Sequence, residues 1–143
     1  MSRSPSTAFP REQLRQKAGT ATGSLDVTDF VVDSPMVVLA LRGALDMDSC
    51  PILQARLARA LTLYRPPLLA IGLNDLTSID SFGLTVLLAT GQHVQAVGGR
   101  LVVFAADCFT LKTFRDRGLY DLLDVRPTLA EAVRELRASQ RNG

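Results

Sequence analysis

The sequence predicts a single α/β domain in the order ββαβαβαβα, with about four helices and a mixed, mostly parallel sheet of about four to five strands. Three observations predict it. Near-continuous apolar runs recur at Met36–Leu41, Leu68–Leu73 and Arg100–Ala105, which suits strands covered on both faces. Between them lie longer stretches whose apolar residues recur with helical spacing. Gly and Pro clusters separate the two kinds of stretch. Strands alternating with helices imply right-handed crossovers and a parallel sheet, to which an opening hairpin adds an antiparallel edge.

Residues 1–24 mix Ser, Thr, Pro, Arg, Gln and Gly with few apolar side chains. They read as a mobile, solvated N-terminal tail, in which Arg11–Lys17 is the one short helical stretch. The domain proper is expected over residues 25–138. Val27–Val32 and Met36–Leu41 are paired strands, joined by the turn formers Asp33, Ser34 and Pro35. Gly43, Ala44, Leu45 and Asp46 read as a turn out of the second strand.

Met47–Tyr64 is the first helix. Leu53, Leu57, Ala60, Leu61 and Tyr64 build its apolar stripe, and Pro51 falls in the tolerant first turn. Asp46 or Asp48 is the expected cap. Pro66-Pro67 stops the helix, and Leu68–Leu73 follows as a central strand. Asp75 and Asp80 then bracket a short turn before a second helix, Ser81–Val97, which buries Leu84, Leu87, Leu88 and Val94. Gly98-Gly99 ends that helix through a left-handed turn. Arg100–Ala105 is a buried strand. Asp107–Arg117 is a short helix with Leu111 and Phe114 inward, closed by Gly118. Leu122–Val125 is a short strand. Thr128 caps a last helix through Arg137 with Leu129, Val133 and Leu136 inward, and residues 139–143 fray.

In such sheets, sites lie where strands end and helices begin. This topology brings Gly43–Asp46 and Asp75–Gly83 to one end of the sheet. A helix start leaves N–H groups unpaired and carries partial positive charge, so it can hold a phosphate. That phosphate can belong to a ligand or to Ser81 itself. Ser81 reads equally as a plain helix cap.

Composition narrows the function classes. The chain has 143 residues, 47% of them hydrophobic and 21% charged, which is ordinary for one globular domain. Net charge is +2, too small an excess to imply nucleic acid. No apolar run approaches the roughly 18 residues of a membrane span, and no secretory leader is evident. Two cysteines, Cys50 and Cys108, fit a reduced, cytoplasmic compartment better than a disulfide framework. Cys50 lies near a helix start that can stabilise a thiolate, although packing is its plainer role.

His93 is the only histidine. It falls on the order of 18 Å along the helix from Ser81, too far to activate it. No nucleotide-binding glycine loop occurs. Asp75 and Asp80 are an imaginable hydrolytic pair, but turn and cap roles explain both. No metal, cofactor or catalytic constellation is therefore expected, and the chain reads as a non-enzyme.

The stretch LNDLTSIDSFGLTVLL, from Leu73 to Leu88, resembles the signature of STAS domains of the bacterial anti-sigma-factor antagonist type, with Asp-Ser-x-Gly-Leu opening a helix. Gly43-Ala44-Leu45-Asp46 resembles the Gly-x-Leu-Asp turn of that family. Phe114-Arg115-Asp116-Arg117-Gly118-Leu119, followed by Leu122–Val125, resembles its late helix, Gly-Leu and last strand. The likeness spans about Leu25 to Leu136, in order.

That resemblance implies a partner switch. The unphosphorylated antagonist would bind an anti-sigma factor with serine-kinase activity and free its sigma factor. Phosphorylation at Ser81 would switch binding off, and a serine phosphatase would reset it. Gly43, Ala44, Leu45, Asp46, Asp75, Ser78, Asp80, Ser81, Phe82, Gly83 and Leu84 would form the partner-binding face. The chain would act as a monomer or weak dimer, with no nucleic acid or membrane partner. The alternative is a STAS-type ligand-binding or scaffold module that is never phosphorylated.

Two positions depart from the family pattern: Phe82 where Ser or Thr is frequent, and Ala44 where an acid is. A glycine early in a helix costs roughly 1 kcal/mol against alanine. Gly83 therefore signals a close backbone approach, by a neighbouring strand or by a partner.

Overall fold

The computed structural model describes residues 25–32, 35–106, 108–116, 118 and 123–142. Nine elements follow one another: β1 (Leu25–Val32), β2 (Met36–Leu45), α1 (Cys50–Leu63), β3 (Leu68–Ile79), α2 (Ser81–Ala96), β4 (Arg100–Phe104), α3 (Cys108–Asp116), β5 (Val125–Arg126) and α4 (Leu129–Asn142). The five strands form one sheet in the order β1-β2-β3-β4-β5. β1 pairs antiparallel with β2, and every later neighbour pair is parallel. The expected alternation of strands and helices is thus the observed one, and so is the fold class.

The sheet buries both faces, which is why β2, β3 and β4 read as continuous apolar runs. On one face, Leu39, Leu41, Leu69, Ile71, Leu73 and Val103 pack under Leu53 and Leu57 of α1, Leu84 and Leu87 of α2, and Phe114 of α3. On the other, Met36, Val38, Ala70, Val102 and Phe104 pack under Ala132, Val133 and Leu136 of α4 alone. Each fully buried large apolar side chain contributes roughly 1.5–3 kcal/mol, so the three-helix face carries most of the stability.

Local chemistry sets the helix ends. Gly98, at φ 85°, closes α2; its N–H donates to Gln95 O and that of Gly99 to Val94 O. Thr128 caps α4, its hydroxyl accepting from Glu131 N at 3.2 Å.

Several boundaries differ from the sequence expectation. α1 starts at Cys50 rather than Met47, because residues 46–49 form a tight turn of their own. Neither Asp46 nor Asp48 caps it; the N-cap is Ser49. Gly43–Leu45 is the end of β2 rather than a turn. β3 runs to Ile79, through the residues expected to form an acidic turn. The last strand is Val125–Arg126, and α4 continues to Asn142 past Arg137, with Ser139 hydrogen-bonded to Arg100 Nη1 at 2.9 Å. The expectations for residues 1–24, Asp33, Ser34, Asp107, Arg117, Leu119 and Leu122 lie outside the described residues.

Candidate functional site

The site is built on an overrun. β4 accompanies β3 only as far as Gly72, which pairs with Phe104. Beyond that point β3 continues beside β2 for seven more residues, to Ile79. Register shifts twice on the way, between Ala40 and Arg42 and between Gly43 and Ala44 on β2. Each time β3 carries the extra residue, so this is a doubly bulged arm rather than a flat ladder. Leu76 stays buried, while Asn74, Asp75, Thr77 and Ser78 are exposed. Asp75 stands opposite Arg42 and Ser78 opposite Ala44. Asn74 ties the arm back to the domain by accepting from Ala106 N at 2.6 Å.

Asp80 is the hub where the arm meets α2. Its N–H donates to Leu45 O at 3.1 Å, and its own carbonyl accepts from Leu84 N at 3.0 Å. Its Oδ1 accepts from Gly83 N at 2.9 Å, which makes Asp80, not Ser81, the N-cap of α2. Its Oδ2 accepts from Met47 N at 3.1 Å, across 33 residues of sequence. A carboxylate bonded to two backbone N–H groups is held firmly, since charge-assisted hydrogen bonds are about twice as strong as neutral ones. Both oxygens are engaged, which accounts for Asp80 without a hydrolytic pairing to Asp75.

The turn between β2 and α1 is fastened in the same manner. Asp46 Oδ1 accepts from Ser49 N at 3.0 Å, and Ser49 Oγ accepts from Asp46 N at 2.9 Å. The Ser49 hydroxyl donates inward to Ala44 O at 2.7 Å. Ser49 is buried, and this set of bonds satisfies it. Sequence reasoning passed over Ser49 and Met47. For Ser49 the signal was present: a serine immediately before Cys-Pro, with proline then in the first helical turn.

Ser81 opens α2 as its first helical residue and is exposed. Among the described residues its hydroxyl makes no hydrogen bond. Phe82 is also exposed, at 55%. Gly83 and Leu84 are buried. A β-carbon on Gly83 would lie 2.7 Å from Leu45 Cγ and 2.9 Å from Leu45 O. The close approach that Gly83 signalled is therefore to the end of β2, within the domain. Gly43 adopts φ 105°, a backbone region that favours glycine, and this lets β2 bend where its register shifts.

Gly43, Ala44, Leu45 and Asp46 thus lie against Ile79–Leu84, with Met47 and Ser49 joined to them. Asp75 and Ser78 sit further along the arm. His93 is in the last turn of α2, away from this end. Cys50 starts α1 but is buried, and burial pushes its thiol pKa up, with Asp80 and then Asp46 acting in the same direction. Its thiolate is disfavoured rather than stabilised, so Cys50 is a packing residue. The Cys108 side chain lies outside the described residues. Among the described residues no cluster of His, Cys, Asp or Glu could hold a metal, and no helix is long and apolar enough to cross a membrane.

The fold and this end of the sheet define a small α/β module that presents a helix N-terminus and a strand-end turn side by side. The STAS domain profile matches residues 28–132, and the chain belongs to that family. Its structure is similar to the crystal structure of an anti-sigma factor antagonist from Mycobacterium paratuberculosis, with 26% identity and a TM-score of 0.73, covering 82% of this chain and 97% of that one. The fold is also shared with SpoIIAA, an anti-sigma factor antagonist, in its unphosphorylated form, at 22% identity and a TM-score of 0.61, covering 79% and 97% of the two chains. The phosphorylated form of SpoIIAA, a Bacillus cell fate determinant, matches at 22% identity and a TM-score of 0.58, covering 77% and 98%.

Proposed function

We propose that this chain is an anti-sigma-factor antagonist whose docking face is the end of the sheet around Asp80. Its partner is an anti-sigma factor with serine-kinase activity, which it binds unphosphorylated so that a sigma factor is freed. Phosphorylation of Ser81 switches the binding off, and a serine phosphatase restores it. The protein acts in the cytoplasm. One observation carries the reading: Ser81 is an exposed hydroxyl at the first helical position, unbonded among the described residues, beside an aspartate whose two carboxylate oxygens each hold a backbone N–H. The two forms of SpoIIAA on the same fold support it.

The energetics suit a switch. A phosphate on Ser81 adds roughly −1.5 to −2 charges. The α2 N-terminus favours it by roughly 0.3–1 kcal/mol, and the neighbouring Asp80 opposes it. The free domain therefore tolerates the modification. In a closed interface an uncompensated charge costs on the order of 3–5 kcal/mol, which is about two to four decades in affinity. One group is thus harmless to the fold and fatal to the complex.

The test uses wild type, Ser81→Ala and Ser81→Asp as baits in extract of the native host, with bound proteins identified by mass. A kinase-type anti-sigma factor is expected on the first two and not on the third. Incubating that purified partner with ATP should place phosphate on wild type and none on Ser81→Ala. Equal retention by all three baits, with Ser81 unmodified, would overturn the switch and leave a ligand-binding or scaffold module.

A further inference from the structure

Among the described residues, the exposed large apolar side chains fall into separate groups. Phe30 and Val31 lie on β1, while Leu63 and Val97 lie at the far ends of α1 and α2. Met47 and Phe82 lie on the two segments that Asp80 joins, and Ile52 lies in the first turn of α1. Met47 is 57% exposed and Phe82 is 55% exposed, the two most open of the group. They come from different parts of the chain and flank one hub. The N–H of Met47 bonds Asp80 Oδ2 at 3.1 Å, and Phe82 is two residues beyond Asp80. Ile52 follows in the first turn of α1, its N–H donating to Ser49 O at 2.9 Å.

The two segments that meet at Asp80 carry charge of one sign, while Arg42, exposed on β2, stands opposite Asp75 further along the arm. Residues 45–52 and 79–84 together contain Asp46, Asp48 and Asp80 and no Lys or Arg. Asp48 is exposed, while Asp46 and Asp80 are half-buried and bonded to backbone. An apolar centre with a polar, charged margin is the arrangement of a protein interface. Exposed aromatic and methionine side chains are the residue types such centres use.

We infer that Met47 and Phe82 are paired apolar anchors that set which anti-sigma factor this chain accepts. The complementary surface carries an apolar pocket for the two side chains, with a margin of Lys or Arg facing Asp46 and Asp48. The inference rests on the function proposed above and adds the chemistry of the partner. Both anchors are side chains carried on a backbone that the Asp80 bonds hold rigid, so little ordering accompanies binding.

The test measures affinity for the kinase-type anti-sigma factor recovered with the wild-type bait and then purified. Met47→Ser and Phe82→Ser are compared with Val97→Ser, an exposed apolar residue at the other end of α2. Met47→Ser keeps the N–H that bonds Asp80, and all three positions are exposed, so unfolding temperatures should match wild type. About tenfold or greater loss is expected for each anchor variant, with Val97→Ser within about twofold of wild type. Raising salt from about 50 to about 500 mM should slow association severalfold. Anchor variants that bind like wild type would overturn the inference and leave the switch standing. A wild-type bait that retains no anti-sigma factor would remove the switch itself, and the anchors with it.

Discussion

The Asp80 end of the sheet and the α4 side of this domain are fastened by opposite means. Around Asp80 and Ser49, carboxylate and hydroxyl oxygens bond backbone groups, and no cation takes part. On the α4 side, four charged side chains interlock. Arg100 pairs with Asp124 and with Glu135, and Arg126 pairs with the same two acids. Ion pairs between side chains that are a quarter to a third exposed contribute little each and weaken with salt. Bonds from an ionised carboxylate to backbone donors are directional and stronger than neutral ones. The contrast teaches that the Asp80 end of the sheet is held from within. Its own rigidity consumes no exposed cation, so its charge and its apolar side chains stay available.

Three substitutions and one control would break or sharpen this contrast. The largest effect is expected at Gly83. Valine there drives its β-carbon into Leu45, main chain included, and should cost about 3 kcal/mol by urea unfolding. Gly91 of the same helix is the control. Its added β-carbon would meet only Leu101 and Leu123 side chains at 3.5 and 3.8 Å, so Gly91→Ala should be neutral or stabilising by up to about 1 kcal/mol. Next comes Asp80→Ala, which removes the cap of α2 and orphans the Met47 N–H. A loss of about 2 kcal/mol is expected, with faster hydrogen exchange at Met47 and Gly83. The smallest effect is at Glu135. Glu135→Gln should cost less than about 1 kcal/mol, and the difference from wild type should shrink in high salt. A Glu135 effect exceeding that of Asp80 would reverse the comparison.

Most of the fold was legible because three strands are buried on both faces and so read as apolar runs. Gly98-Gly99, Pro51 and Thr128 announced their helix ends through chemistry that acts locally. The arm was not legible. Leu73–Ile79 contains Asn, Asp, Thr and Ser, which favour turns, yet it is strand because β2 pairs with it and Leu76 is buried. Likewise Asp80 and Ser81 are both good caps in sequence. Only the geometry, with Asp80 Oδ1 on Gly83 N, assigns the cap to the aspartate and frees the serine. Adjacency of the two loops followed from topology. The Asp80–Met47 bond did not, since it joins atoms whose spacing no local rule sets.

That long-range bond also bears on when the surface comes into being. Its two ends are separated by α1 and the whole of β3, so neither can recruit the other until the chain has closed that crossover. A nascent or partly opened molecule can own both sequence motifs and still display neither as a joint shape. The joint shape then arrives all at once with completed folding, and vanishes with it. The hub thereby acts as a certificate of maturity, present only in a finished chain.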